Sequence, residues 1–328
     1  MKPRISKTLY TNSYLVFKKK MDVFTIVLVI AGLSVFEIIN SVDNAIINAD
    51  ILSTMQQKSR KWFLFMGMFF AVFVVRGLLP LLIIWVSNPS VGLTGAFTAT
   101  FSNNTAVMQS IESSAPILLV GAATFLLFLF FHWLFIEPKK YILSAEKFFQ
   151  ANFFLFYAFV SILLSAIVWF AIHRNPLMAF SAVIGATIFY VVEAIRRFAE
   201  EHASRLNKKN ISDVGKILYL EVIDATFSID GVTGAFAFTL SVPFILVGNG
   251  IGALVVRQLT IKNVNVINKF KYLKKGAMYS ILFIGFIMLL DSFGYIIPKW
   301  LPPLVTFAVV GFFLYMSERD LAQGPRRK

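Results

Sequence analysis

The sequence predicts an all-α, polytopic transmembrane helical bundle. Hydrophobic residues make up 58% of the 328-residue chain and charged ones only 15%, with a mean hydropathy of +0.74. A soluble fold of this length cannot hide that much apolar surface, because a large share of its residues must face water. Apolar stretches of about 20 residues recur along the chain, each long enough to cross a bilayer core of about 30 Å. No stretch of useful size is left for a soluble module, so 1–328 reads as a single membrane domain.

About nine spans can be drawn at that length criterion: 23–54, 62–86, 115–136, 151–172, 176–195, 216–241, 243–258, 277–297 and 302–316. The segment 87–114 has no Lys or Arg and one acid, Glu112, and reads as an external loop with a surface helix around 97–111. Basic residues concentrate in 137–150 (Lys139, Lys140, Lys147), in 196–216 (Arg196, Arg197, Arg205, Lys208, Lys209, Lys216) and in 257–275 (Arg257, Lys262, Lys269, Lys271, Lys274, Lys275). The tail ends in Arg326, Arg327 and Lys328. Alternating these with the poor loops at 87–114, 173–176, 241–243 and 298–301 places the C-terminus in the cytoplasm by the positive-inside rule. The net charge of +14 is thereby read as membrane orientation, with no nucleic-acid partner expected.

The N-terminal segment resists this scheme. Lys18, Lys19 and Lys20 precede 23–54, and Lys58, Arg60 and Lys61 follow it, so both flanks are basic. The basic lead imitates a signal peptide, but no small-residue cleavage site precedes the acidic motif and no removal is expected. The stretch 23–54 is too long for one straight span and too short for two ordinary ones. A broken or re-entrant helix resolves the conflict, and Asn40-Ser41-Val42-Asp43-Asn44 is where it would break.

Acidic clusters lie inside two of these apolar segments. In the first, Glu37, Asn40, Ser41, Asn44 and Asn48 fall on one helical face, while Asp43 points about 120° away from Glu37, with Asp50 beside it. In the second, Glu221, Asp224 and Ser228 share a face and Asp230 lies roughly opposite Glu221. For all the acids to meet, each helix must unwind near its second carboxylate, Asp43 or Asp230. Gly231 and Gly234 make that easy in the second helix, and the polar run permits it in the first.

An ionised carboxylate near the bilayer centre costs about 2.5 kcal/mol or more on the mildest scales. Neither motif contains Lys, Arg or His, and Arg76 is the one basic residue deep in an apolar span. A single guanidinium cannot neutralise Glu37, Asp43, Glu221, Asp224 and Asp230, so cations, protons, or the two in exchange balance the charge. Oxygen donors of this kind suit Mg²⁺, Ca²⁺ or Mn²⁺. The chain has no cysteine, and its three histidines, His132, His173 and His202, are far apart, which excludes thiolate sites and disfavours a histidine-rich zinc site. Glu37 precedes Asp43 by the same interval as Asp224 precedes Asp230. One such motif in each half fits an inverted repeat with its site at the bilayer midplane.

The pattern Glu-x₅-Asp-Asn-Ala at 37–45, with Glu-x₂-Asp-x₂-Phe-x₂-Asp at 221–230, resembles the paired signatures of the TerC (tellurium-resistance) integral membrane family, in the broader LysE-like exporter group. The resemblance covers most of the membrane domain. It implies export of divalent manganese, with calcium in related branches, and a multi-pass protein of the cell membrane, the inner membrane in a bacterium. Carried over residue by residue, it puts Glu37 and Asp43 from one helix, and Glu221, Asp224 and Asp230 from the other, around the ion. Asn44, within the first signature, joins this expected metal set, and Asn40, Arg76, Ser228 and Asp291 are auxiliary candidates. Gly231 departs from the pattern, since many members have Ser there, and the sequence resembles a side branch of the family.

Other features have plainer readings. Arg76 either pairs with an acid to hold the site when empty or has one fixed structural partner. Asp291 is a further acid in apolar sequence, placed on a proton path or at a helix end. Glu193, with Arg196 and Arg197 at i+3 and i+4, reads as an interfacial pair. His132 reads as a buried or interfacial histidine. Gly248-Asn249-Gly250-Ile251-Gly252 follows no strand and reads as close helix packing. The 36 phenylalanines read as lipid-facing bulk.

The leading functional expectation is a divalent-cation exporter, not an enzyme and without a resident cofactor, whose carboxylates release metal and take up protons on return. Export of a small cationic solute such as a basic amino acid would need fewer carboxylates and a larger pocket. An intramembrane metalloprotease needs histidines and an aspartyl one a Gly-Asp pair, and neither pattern is present. An assembly or insertion factor would use the acids only structurally. Oligomeric state is left open.

Overall fold

The computed structural model describes residues 22–67, 69–70, 74, 76–87, 89, 92–98, 105–139, 141–206 and 212–322. The fold is all-α. The helices are α1 (Val23–Asn40), α2 (Val42–Ser53), α3 (Gln57–Trp62), α4 (Arg76–Ser87), α5 (Gly92–Thr98), α6 (Thr105–Phe135), α7 (Ser144–Ala151), α8 (Phe156–Ile172), α9 (Pro176–Leu206), α10 (Asp213–Ala235), α11 (Val242–Lys269), α12 (Leu273–Ser292) and α13 (Leu301–Ala322). A wide, π-type turn, Phe63–Gly67, follows α3. Six helices are long and apolar enough to cross a bilayer, and the apolar stretches Arg76–Val86 and Val242–Gln258 are shorter. With α10, these fall on the predicted spans and make a polytopic membrane bundle.

Side-chain contacts give the direction of each helix. Along α1 and α2, Phe36 meets Gly234, Glu37 meets Gly231, Asn44 bonds Asp224 and Thr54 bonds Lys216, so α10 runs antiparallel to them. Leu33 meets Gly248, Glu37 meets Gly252 and Ala45 packs with Val256, so α11 runs parallel to them. The segment 23–54 is therefore one kinked span and not a re-entrant hairpin. The kink is confined to Ser41 (φ −91°, ψ 3°), two residues before the expected Asp43. Asn, Ser and Asp side chains compete with the helix for backbone hydrogen bonds, which weakens the helix at this run. The start of α1 lies with the 236–241 turn, at the end of the bundle opposite Lys216.

The other helices continue this alternation. Ile117 O accepts from Ser181 Oγ at 2.6 Å, and Gly121 meets Gly185, so α6 and α9 are parallel. Lys274 pairs with Glu137 at 2.6 Å while Gly285 abuts Leu127, so α12 runs back along α6. Lys271 pairs with Asp320 at 2.8 Å, which sets α13 antiparallel to α12. Basic segments from α6–α7, α9–α10, α11–α12 and α13 thus gather at one end. The helical runs extend beyond the apolar windows: α9 reaches Leu206 and α11 reaches Lys269, inside segments expected as loops. In the expected external segment, α5 lies at Gly92–Thr98 and α6 already begins at Thr105.

The core centres on α6. Phe125, Phe128, Phe156 and Phe189 are fully buried, and Phe125 and Phe128 meet Phe189 edge-on at 6.3 and 5.7 Å. Phenylalanine is therefore core filler here as well as lipid-facing bulk, since edge-to-face pairing packs rings densely between helices. Exposed Phe159, Ile162, Trp169 and Phe170 place the lipid-side apolar surface on α8.

Candidate functional site

Glu37 sits near the end of α1, walled in by glycines on both sides. A Cβ on Gly231 would lie 2.5 Å from Glu37 Oε2, and one on Gly252 would lie 2.6 Å from Glu37 Cβ and 2.7 Å from Ser34 O. The absence of side chains at these two positions lets α10 and α11 close on the carboxylate. This use of Gly231 and Gly234 corrects the expected break at Asp230: α10 is unbroken to Ala235, because its glycines serve close approach and not unwinding. Gly248 likewise admits Leu33, as the packing reading of the glycine run predicts.

Three arginines face the acids. Arg76 Nη2 lies 2.7 Å from Glu37 Oε1 and its Nη1 lies 3.9 Å from Asp224 Oδ2. Ser41 Oγ donates to the same Glu37 oxygen at 2.6 Å. Asn44 Nδ2 donates to Asp224 Oδ1. Asp230 pairs instead with Arg196 of α9, whose guanidinium also lies 4.6 Å from the centre of the Phe227 ring. Arg257 stacks over Phe63 at 4.4 Å, donates to Phe63 O at 3.1 Å and acts electrostatically on Glu221 and Asp224.

The charge argument from sequence is corrected accordingly. Arg76 is not the only deep base, because Arg196 and Arg257 fold in from the ends of the predicted apolar spans, where they had counted as orientation signals. What distinguishes them in the sequence is position: each directly ends an apolar run, ahead of the scattered lysines that follow.

The expected ligands do not form one cluster. Among the described residues, no group of three or more acids or histidines is placed to hold a metal. Glu37, Asn44 and Asp224 come together through Arg76, Asp230 turns to α9, and Glu221 faces Gly67, where a Cβ would collide with its carboxylate. The side chains of Asp43, Asp50 and Glu112 lie outside the described residues, and that part of the expectation is not placed. Asn40 Nδ2 is 3.7 Å from a Cβ built on Gly231. Ser228 donates to its own helix at Asp224 O, 2.6 Å away. Asp291 is the penultimate residue of α12 and its carbonyl receives Gly294 N–H, which is the helix-end reading.

A cavity of about 30 Å³ opens beside the kink, lined by Ser41, Asn44, Asn48, Arg76, Asp224 and Arg257 among others. That is room for about one or two waters or a bare ion. In its lining, Asn44 Oδ1 and Asn48 Oδ1 are buried and receive no hydrogen bond among the described residues; outside the lining the same holds for Glu37 Oε2, against Gly231, and for the carboxylate of Glu221, which faces Gly67. Buried acceptors of this kind call for a proton, a water or a cation.

A family described as "Protein of unknown function (DUF475)" matches residues 42–321. The chain belongs to the DUF475 family. The match takes in α2, the cavity wall apart from Ser41, and all of α10, and begins after Glu37 and Ser41 of this DUF475 protein. No curated protein and no solved structure matches the chain.

Proposed function

We propose that this DUF475 protein is a membrane transporter that exports a divalent cation in exchange for protons. Manganese is the first ion to test and calcium the second, on the TerC resemblance. The observation that carries the reading is an ion-sized cavity lined by Asp224, Asn44 and Asn48, with the Asn44 and Asn48 amide oxygens buried and undonated, and with undonated carboxylate oxygens of Glu37 and Glu221 beyond the lining. Hard oxygens of carboxylates and amides suit such an ion. The cavity's size disfavours an organic cation such as a basic amino acid, which needs several times this volume.

The arginines supply the other half of the cycle. With no ion bound, Arg76 bridges Glu37 and Asp224 and removes the cost of two bare carboxylates in a low-dielectric setting. An entering cation competes for the same oxygens and displaces the guanidinium, and protons on the carboxylates allow the empty site to return. By the positive-inside rule, the end that gathers the lysines faces the cytoplasm, with the C-terminus there and the protein in the cell membrane.

The test is to measure cellular manganese, calcium and magnesium with the protein expressed, wild type beside Asp43→Asn and Asp224→Asn. Wild type lowers one of these ions severalfold and both variants leave it at the level of cells without the protein. If wild type changes none of the three, or both variants match wild type, the exporter reading fails.

A further inference from the structure

A second polar cluster lies between α6 and α9, and the cation site does not use it. His132 of α6 is buried, with its ring edge-on to Phe156 at 5.5 Å and tilted against Phe189 at 5.8 Å. Its Nε2 sits 3.2 Å from Glu193 Oε1 and 3.0 Å from Arg197 Nη2, both on α9. Arg197 Nε also donates to that same Glu193 oxygen at 2.8 Å. His132 Nδ1 is buried and has no hydrogen-bond partner among the described residues.

This geometry holds two protonation states. A guanidinium only donates and a carboxylate only accepts. With Nε2 bare, the ring accepts from Arg197. With Nε2 protonated, it donates to Glu193. With Nδ1 carrying the ring's other proton in both states, either Nε2 bond forms without moving the helices, so a proton can be gained or lost at Nε2 without repacking. The cluster also reaches the surface: the His132 side chain is 6% exposed, Glu193 16% and Arg197 53%. The charges acting on His132 are Glu193, Arg197 and Arg196 of α9 and Glu137 at the end of α6, with Phe156 as its neighbour on α8. Glu137 lies at the end of the bundle where the lysines gather, paired with Lys274.

We propose that His132 and Glu193, bridged by Arg197, form a second proton-binding site required for the exchange, in addition to the carboxylates that take the cation and return protonated. It rests on the exchange reading above. Arg196, one turn beyond Glu193 on α9, holds Asp230 of the acid-bearing helix. A change of charge at His132–Glu193 therefore acts one helical turn from the side chain that anchors α10.

The experiment uses the purified full chain in liposomes loaded with manganese, with and without an imposed pH gradient. In wild type the gradient accelerates manganese efflux severalfold. In His132→Gln that acceleration is lost, while manganese binding in detergent stays within about twofold of wild type. If His132→Gln keeps the full acceleration, the proton site is overturned and the exporter reading stands. If wild type moves no manganese, calcium or magnesium, the exporter reading falls and this one with it.

A measurement that does not depend on transport guards against a variant that fails to fold. With His173 and His202 replaced by Gln, the imidazole of His132 is the single reporter in a nitrogen-15 NMR titration. Its ring signals shift with pH as a proton is gained, and Glu193→Gln moves the midpoint. A ring that stays in one protonation state throughout, or a midpoint unmoved by Glu193→Gln, overturns the proposal.

Discussion

Arg76 is the residue on which the proposed cation site turns, because it supplies the positive charge that a bound metal ion would supply there. Its guanidinium satisfies one oxygen of Glu37 and approaches Asp224 from the other side. Removing it leaves two carboxylates buried without their countercharge, and breaking a buried pair of this kind costs about 3–5 kcal/mol. Arg76→Met is therefore expected to melt well below wild type in metal-free buffer. Added manganese should raise its melting temperature more than that of wild type, since the ion no longer competes with a resident cation. Thermal unfolding in detergent, with and without manganese, checks this, and an equal shift in both proteins would separate Arg76 from the ion site.

At the scale of elements, the contrast between the two acid-bearing helices follows from what each packs against. The first is kinked at Ser41, where its own polar side chains loosen the ladder, and the second is straight because its glycines are filled by Glu37 and Phe36. The short helix α7 is held by a different device. Glu146 is fully buried and receives hydrogen bonds from Lys275, from the Ile142 backbone N–H at 2.8 Å and from the Tyr279 hydroxyl at 3.1 Å. Burial alone would push its carboxyl upward, but those three donors outweigh it and hold it below the ordinary glutamate value of 4.5. A carboxylate depressed in the folded state adds stability that is full above its unfolded value and is lost as pH falls through the folded one. The wild-type melting temperature should thus drop as pH falls below about 4.5, and part of that drop should vanish in Glu146→Gln. At neutral pH the same substitution strands Lys275 and should cost about 3–5 kcal/mol.

For the whole molecule, helix directions make a strict alternation that brings every described basic segment to one end. Lys139 adds a local reason for that end, donating to the carbonyls of Trp133, Leu134 and Glu137 and so closing the C-terminus of α6. The chain has no cysteine, so single cysteines report topology without background. In the proposed orientation, cysteines at Ser212 and Lys271 should react with an impermeant maleimide only after the cytoplasmic face is opened, and those at Asp22 and Lys299 should react in intact cells. Labelling of Asp22→Cys and Ser212→Cys from the same face would contradict a single kinked crossing by 23–54.

The sequence by itself determined the class of fold, the positions of the apolar helices, a kink within the run 40–44 of the first acidic segment, and the shared face of Glu37, Asn40, Ser41, Asn44 and Asn48, of which all but Asn40 are buried. These are legible because hydropathy and helical periodicity are local properties, and because Asn, Ser and Asp weaken a helix wherever they cluster. Only the tertiary structure decided which acid meets which base. Arg196 and Arg257 look like orientation signals along the chain, yet a long arginine at the end of a span can reach inward as easily as outward. Gly231 illustrates the same limit. A glycine permits both unwinding and close approach, and what selects between them is whether a neighbouring helix brings something, here the Glu37 carboxylate, to occupy the space.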